Sequence, residues 1–336
     1  KQVCEWLLDS KRKYGWPLQV MATTGKNSKE RVMAITSILG NMFSVNMSMQ
    51  SMDNQVLKNI KRSNIKLDHM IEVNDHLIKE GRSTKAELIM PLPGESKDSF
   101  IRGLDSILNS NASAVTIYTL MMLHGTEFKS PEYRDKFKYK GKYRIVPLNF
   151  GEYNGKRIFD YEEVGVETKN LSFNDYLFLR GLALLVESLY NGRPFNEFFK
   201  YAKIFNIQPA SLLKKIYENI SKAPKEVQQV MINFSNETKG ELWSSEEELV
   251  KHYKKDENYH KLKNGLVGGN LIFKYKSISL VNNGLSWINF FENQLYKTVT
   301  EKQKNIISTE EIKQEISDIS TFCKLKIDGL LKSNAD

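Results

Sequence analysis

Cysteine is nearly absent from this chain: Cys4 and Cys323 are the only two in 336 residues. Thiols so far apart form at most one disulfide, which excludes a stapled secreted scaffold and points to a reducing, cytoplasmic setting. They also exclude an iron–sulfur centre held by this chain alone, since a cluster needs about three or four suitably placed thiolates. Long apolar runs are missing too. Nothing approaches the roughly 18–20 residues that span a bilayer, and no cleavable signal pattern opens the chain. Charge of one sign is not concentrated anywhere. The net +9 comes from lysines interleaved with acids, and the densest basic stretch, Lys129 to Arg144, also holds Glu132 and Asp135. That balance permits nucleic-acid binding without arguing for it. His252 and His260, eight apart among lysines, lack the nearby carboxylate–cysteine set of a zinc site. The run from Thr23 to Asn27 has the composition of a phosphate loop but not its G-x-x-x-x-G-K-[ST] spacing.

What remains is an ordinary globular composition, 40% hydrophobic and 26% charged, on a chain longer than one typical domain. Residues 1–126 alternate strand-like and helix-like segments, the signature of βα units and a parallel sheet. The spacing predicts strands over 18–23, 42–49, 86–90 and 114–122. It predicts helices from Ser28 to Leu39 with Gly40 as C-cap, from the cap Asp53 through Arg62, from the cap Asp68 through Ile78 to Gly81, and from Ser96 to Leu108. Residues 127–170 are aromatic and basic without a strong period and read as a connecting segment. Residues 171–336 are helical by pattern, with Phe195, Phe198, Phe199, Ala202 and Phe205 repeating at core spacing.

Three polar residues stand out against these elements. Gln50 ends one strand, Arg62 follows on the next helix, and Glu87 lies inside the next strand, in a segment read as apolar on both faces. A carboxylate buried there needs a cationic or hydrogen-bonding partner. A structural pair with Arg62 or Lys85 is one answer. The other is a shared mouth at the carboxyl ends of barrel strands, where Arg suits a ligand carboxylate and Glu its ammonium. Asp53 reads as a plain helix cap, and Pro93-Gly94 as a tight turn.

The blocks from Ser44 to Arg62 and from Glu87 to Glu95 resemble the radical S-adenosylmethionine (radical SAM) enzymes. Between Tyr14 and Thr126 they most resemble the subgroup with an upstream cobalamin-binding domain. That resemblance implies an α/β fold, a partial parallel (β/α) barrel of the TIM-barrel type, followed by a mainly helical C-terminal region. It implies S-adenosylmethionine (SAM) as ligand, a 4Fe–4S cluster with ligands outside this chain, and cobalamin also bound outside it. It assigns Ser48 and Gln50 to the ribose and methionine groups, Arg62 and Glu87 to the ligand's carboxylate and ammonium, and Ile89 to the adenine-supporting backbone. Tyr118 and Leu120 pack against adenine, with sheet core as the alternative, and Thr23 and Thr24 line the pocket. The sequence departs from the family in lacking CxxxCxxC, in carrying Pro91 where glycine is common, and in placing His124 in a loop that usually holds proline. With four strands where six are expected and Lys1 as its first residue, the chain reads as the later part of a longer enzyme acting on an unidentified substrate. A non-catalytic SAM- or nucleotide-binding module and a helical interaction or nucleic-acid-binding protein are the alternatives.

Overall fold

The structure, a computed structural model, describes residues 1–23, 29–64, 66–79, 84–303 and 309–332. Four parallel strands, β1 (Val20–Thr23), β2 (Phe43–Gln50), β3 (Thr84–Met90) and β4 (Ala114–Thr119), lie side by side in sequence order. Helix α1 (Gln2–Tyr14) precedes them. The crossovers contain α2 (Lys29–Leu39), then α3 (Asn54–Asn59) with α4 (Leu67–Lys79), then α5 (Lys97–Asn109). Thr24, Gly25, Ser28 and Gly81, singled out in the sequence, fall outside the described residues.

One face of the sheet carries most of the packing. Along β3, Thr84, Ala86, Leu88 and Met90 are buried, whereas Lys85, Glu87 and Ile89 alternate with them on the open side. Met47 and Met49 of β2 and Val115 and Ile117 of β4 join the buried set, against Met70, Leu77, Phe100 and Leu104 from α4 and α5. Each such side chain contributes about 1.5–3 kcal/mol on burial, so the helix-facing residues fix the register. This corrects the expectation that β3 is apolar and buried on both faces: Glu87 stands on the open one.

Two helix limits also differ from the sequence reading. Asp53 caps α3 as expected, accepting from the N–H groups of Gln55 and Val56 at 2.8 and 3.0 Å. The helix stops at Asn59, however, and Lys61 turns at φ +53°, so Arg62 lies past its end. Asp68 sits within the first turn of α4 rather than at its cap. Ser96 caps α5 in a reciprocal pair with Ser99.

The segment read as unpatterned, 127–170, is the main departure. It holds α6 (Pro131–Phe137) and a long antiparallel hairpin, β5 (Lys140–Tyr153) with β6 (Lys156–Glu167). Asn154 and Gly155 turn the hairpin at φ +50° and +72°, the geometry of a two-residue type I′ turn. Helix α7 (Phe173–Leu185) follows and runs on as a π turn, Val186–Tyr190. The remainder is helical, including Lys225–Gly240, Leu271–Ser277, Gly284–Lys302 and Thr309–Lys332. Among the described residues no helix is long and apolar enough to cross a membrane.

Strand β4 would leave bare backbone at the sheet edge, and Asn191 covers it. Its Oδ1 accepts from the Val115 N–H and its Nδ2 donates to the Val115 carbonyl, both at 2.9 Å, with the residue 4% exposed. This mimics a neighbouring strand and blunts the edge. Asn191→Ala should therefore cost about 2–4 kcal/mol, because it strands one buried donor and one buried acceptor. Urea unfolding measures it, and a loss below about 0.5 kcal/mol would show that the edge finds other partners.

Candidate functional site

Register and parity bring three side chains to one place. Ser48 lies opposite Glu87 across β2 and β3, and Tyr118 of β4 lies opposite Ile89, all on the open face. The Ser48 hydroxyl donates to Glu87 Oε2. The Tyr118 phenol donates to Oε1 at 3.4 Å. Two hydroxyls from two neighbouring strands thus hold one carboxylate. Burial, and then the adjacent Glu87 charge, hold the Tyr118 phenol above its ordinary pKa. An open, positioned carboxylate of this kind suits an ammonium or a pair of ligand hydroxyls.

The other residues named from the sequence are distributed around this cluster. Gln50 closes β2 at φ +64°, where the register slips between Ser48 and Gln50. A non-glycine residue held in the left-handed region at a strand end is a local strain of the sort found at ligand sites. Ile89 shares the face of Glu87. Leu120 is 5% exposed and packs with Val56, Leu92 and Tyr139, in apolar core rather than on the open face. Thr23 pairs with Asn46 at the end of β1, and Thr24 lies outside the described residues. Arg62 is exposed; its backbone N–H donates to the Leu57 carbonyl at 2.9 Å, and its side chain has no hydrogen-bond or ion-pair partner among the described residues. The structural pairs of Glu87 with Arg62 or Lys85 are not formed.

The Pro93-Gly94 turn is tied to α3 beside this site. Asn59 Nδ2 donates to the Pro93 carbonyl at 2.7 Å, and a Cβ on Gly94 would sit 2.6 Å from that nitrogen, at φ +89°. Only glycine fits both demands. The next residue, Glu95, is one the sequence reading passed over as part of the turn. It is 1% exposed, accepts from the Ser51 hydroxyl at 2.8 Å, and leaves Oε2 without a partner among the described residues. Burial pushes its pKa up to about 8, against the opposing Ser51 hydrogen bond. The run Pro93-Gly94-Glu95 carried no signal of this, because nothing local distinguishes a buried glutamate from a solvated one.

No group of three or more His, Cys, Asp or Glu residues that could hold a metal occurs among the described residues. Both cysteines are buried, Cys4 on α1 and Cys323 on the helix Thr309–Lys332.

Glu95 has a measurable consequence. Its carboxyl titrates near 4.5 when unfolded and near 8 when folded, so the folded state holds the extra proton. Stability from this group is complete below about pH 4.5 and declines as pH rises through 8. Glu95→Gln mimics the protonated form and removes the decline. Its stability relative to the wild type should grow between those pH values by on the order of 4 kcal/mol. Urea unfolding of both proteins at pH 5 and pH 8.5 checks the slope, and a constant difference would place Glu95 in the ordinary carboxylate range.

No protein-family model matches the chain. The chain is 32% identical over 135 residues to the cobalamin-dependent radical SAM methyltransferase TokK of Streptomyces tokunonensis, covering 39% of this chain and 20% of that protein. It is 28% identical over 197 residues to the 2-(S-pantetheinyl)-carbapenam-3-carboxylate methyltransferase of Streptantibioticus cattleyicolor, covering 57% of this chain and 28% of that protein. The chain thus spans between a fifth and under a third of the curated relatives it matches. The similarity is distant and partial, and it supports kinship with the radical SAM family at that level.

Proposed function

We propose that this chain forms the later strands of a radical SAM partial barrel and that the open face of β2, β3 and β4 is the barrel's inner wall, where S-adenosylmethionine binds. The single observation that carries this reading is the Glu87 carboxylate, held by Ser48 and Tyr118 on an unpacked face of a parallel sheet. The similarity to radical SAM methyltransferases supports the same ligand. In this reading Glu87 accepts the methionyl ammonium, and Tyr118 and Ser48 keep its carboxylate from rotating away. Arg62, exposed on the segment after α3, supplies a planar fork to the ligand carboxylate. Gln50, Ile89 and Tyr118 shape the ribose and adenine side, with Thr23 at the end of β1.

The cluster and cobalamin are a different matter. Two buried thiols on separate helices do not fit a 4Fe–4S cluster, so its ligands belong outside this chain and no step is routed through it. This chain's own contribution is positioning: a fixed carboxylate, hydroxyls that orient it, and a sheet face on which the ligand lies. The reaction class is methylation or another radical-based modification of an unidentified substrate.

Calorimetric titration of the protein with S-adenosylmethionine tests the assignment. Glu87→Ala should weaken binding by about 10- to 100-fold, the range for one charge-assisted hydrogen bond of about 1.5–3 kcal/mol. Glu87→Gln should lose less, because its amide oxygen still accepts. Arg62→Lys should bind more weakly than the wild type through loss of the two-point fork. Unchanged affinity in Glu87→Ala would remove the ammonium site and this reading with it.

A further inference from the structure

A cavity of about 270 Å³ opens along β4, between the sheet and the helical C-terminal region. Thr116 and Tyr118 form its sheet wall, so it adjoins the Glu87 cluster directly. Opposite them stands Arg180 of α7, only 6% exposed. Its guanidinium lies over the Phe234 ring, 5.7 Å from the centroid. Its Nε is buried without a hydrogen-bond partner among the described residues. A buried guanidinium is costly unless an acceptor meets it.

Of the other charges lining the cavity, Lys85 stands on the exposed sheet side, and the rest are already committed. Arg144 is bonded to Glu162 at 2.7 Å and to Glu241 at 3.3 Å. Glu187 is paired with Lys276 at 2.7 Å and accepts from Asn191 at 2.6 Å. Glu241 also acts electrostatically on Arg180, which leaves Arg180 as the buried cation with a donor, Nε, still to serve an occupant. Glu187 and Glu241 on the same walls disfavour a dianion, while a guanidinium fork matches a planar carboxylate. Much of the rest of the lining, including Ala183, Leu271 and Phe273, is apolar, with Thr119 and Asn270 among its polar positions.

We infer that this cavity receives the substrate, and that the substrate is an apolar molecule bearing a single carboxylate anchored by Arg180. That the occupant is a substrate rests on the S-adenosylmethionine reading above; that the cavity binds a carboxylate does not. Tyr118 joins the two sites, with its hydroxyl on Glu87 and its ring on the cavity wall.

The probe is hexanoate, set against hexanamide of nearly the same shape, with saturation-transfer NMR on the full chain in the absence of S-adenosylmethionine. Saturable hexanoate binding is expected, with hexanamide at least tenfold weaker and inorganic phosphate unable to displace the signal. Arg180→Met should lose at least tenfold in hexanoate affinity, and Arg180→Lys should fall between. Thr116→Trp, which fills the cavity from the sheet while leaving Arg180 in place, should abolish binding, and it decides the matter if Arg180→Met does not fold. No saturable binding, equal binding of hexanamide, displacement by phosphate, or full affinity in Thr116→Trp would each overturn the inference. Carboxylate binding that survives while S-adenosylmethionine fails to bind would remove the earlier reading and leave this cavity standing; the reverse would remove only the cavity.

Discussion

A carboxylate halfway along a strand in a four-stranded parallel sheet sets the terms for everything around it. Glu87 could not be packed under a helix without a large desolvation cost, so the face it occupies is left open. The opposite face carries most of the apolar load: Ala86, Leu88 and Met90 against α4 and α5. Once that division is made, strand parity alone determines what else shares the open face. Ser48 and Tyr118 follow from the pairing register, and their hydroxyls orient the Glu87 carboxylate. The site is thus a consequence of which face was packed, not an addition to a finished fold.

Glu95, eight residues further on, meets the same difficulty in the opposite way. It is buried under the Pro93-Gly94 turn, given one hydroxyl donor from Ser51, and held as a neutral acid by a pKa of about 8. Glu87 keeps access to solvent; Glu95 surrenders its charge and ties the end of β2 to the turn before α5. Two carboxyls of one short segment therefore do different work, and only the surroundings separate them.

That difference explains what the sequence did and did not disclose. Strands, caps and the Gly94 turn depend on local chemistry, and they were readable: Asp53 and Ser96 cap the helices they were expected to cap. Glu87 was readable as an anomaly, but not the face it occupies. That depends on which helices cover the sheet, and the run Ala86 to Met90 looks equally apolar on either side. Arg62 was extrapolated onto a helix that ends three residues earlier, since Leu57 and Ile60 keep helical spacing beyond Asn59. The hairpin of β5 and β6 was missed although Asn154-Gly155 is a strong turn signal; the lysines and aromatics on its solvent side obscured the alternation. Glu95 and Arg180 were invisible for a shared reason. Burial of a polar side chain is decided by residues distant in sequence, here Ser51 and Phe234.

The helical C-terminal region acquires a role from this geometry. Asn191, at the end of the π turn, saturates the Val115 backbone and so stops the sheet at β4. With the edge sealed, α7 and the segment around Leu271 stand beside the open face instead of extending it, and a cavity remains between them. Arg144 reaches into that boundary from β5, fixed between Glu162 and Glu241, so the hairpin and the helices share one charge network at the cavity's rim. A sheet of parallel strands alone would offer Glu87 a flat and open surface, on which a ligand keeps most of its hydration. Walls from β5, α7 and the Leu271 segment exclude part of that water, and electrostatic interactions strengthen as water is removed. The region whose sequence carried no recognisable chemistry is therefore what turns a decorated sheet face into the wall of a cavity.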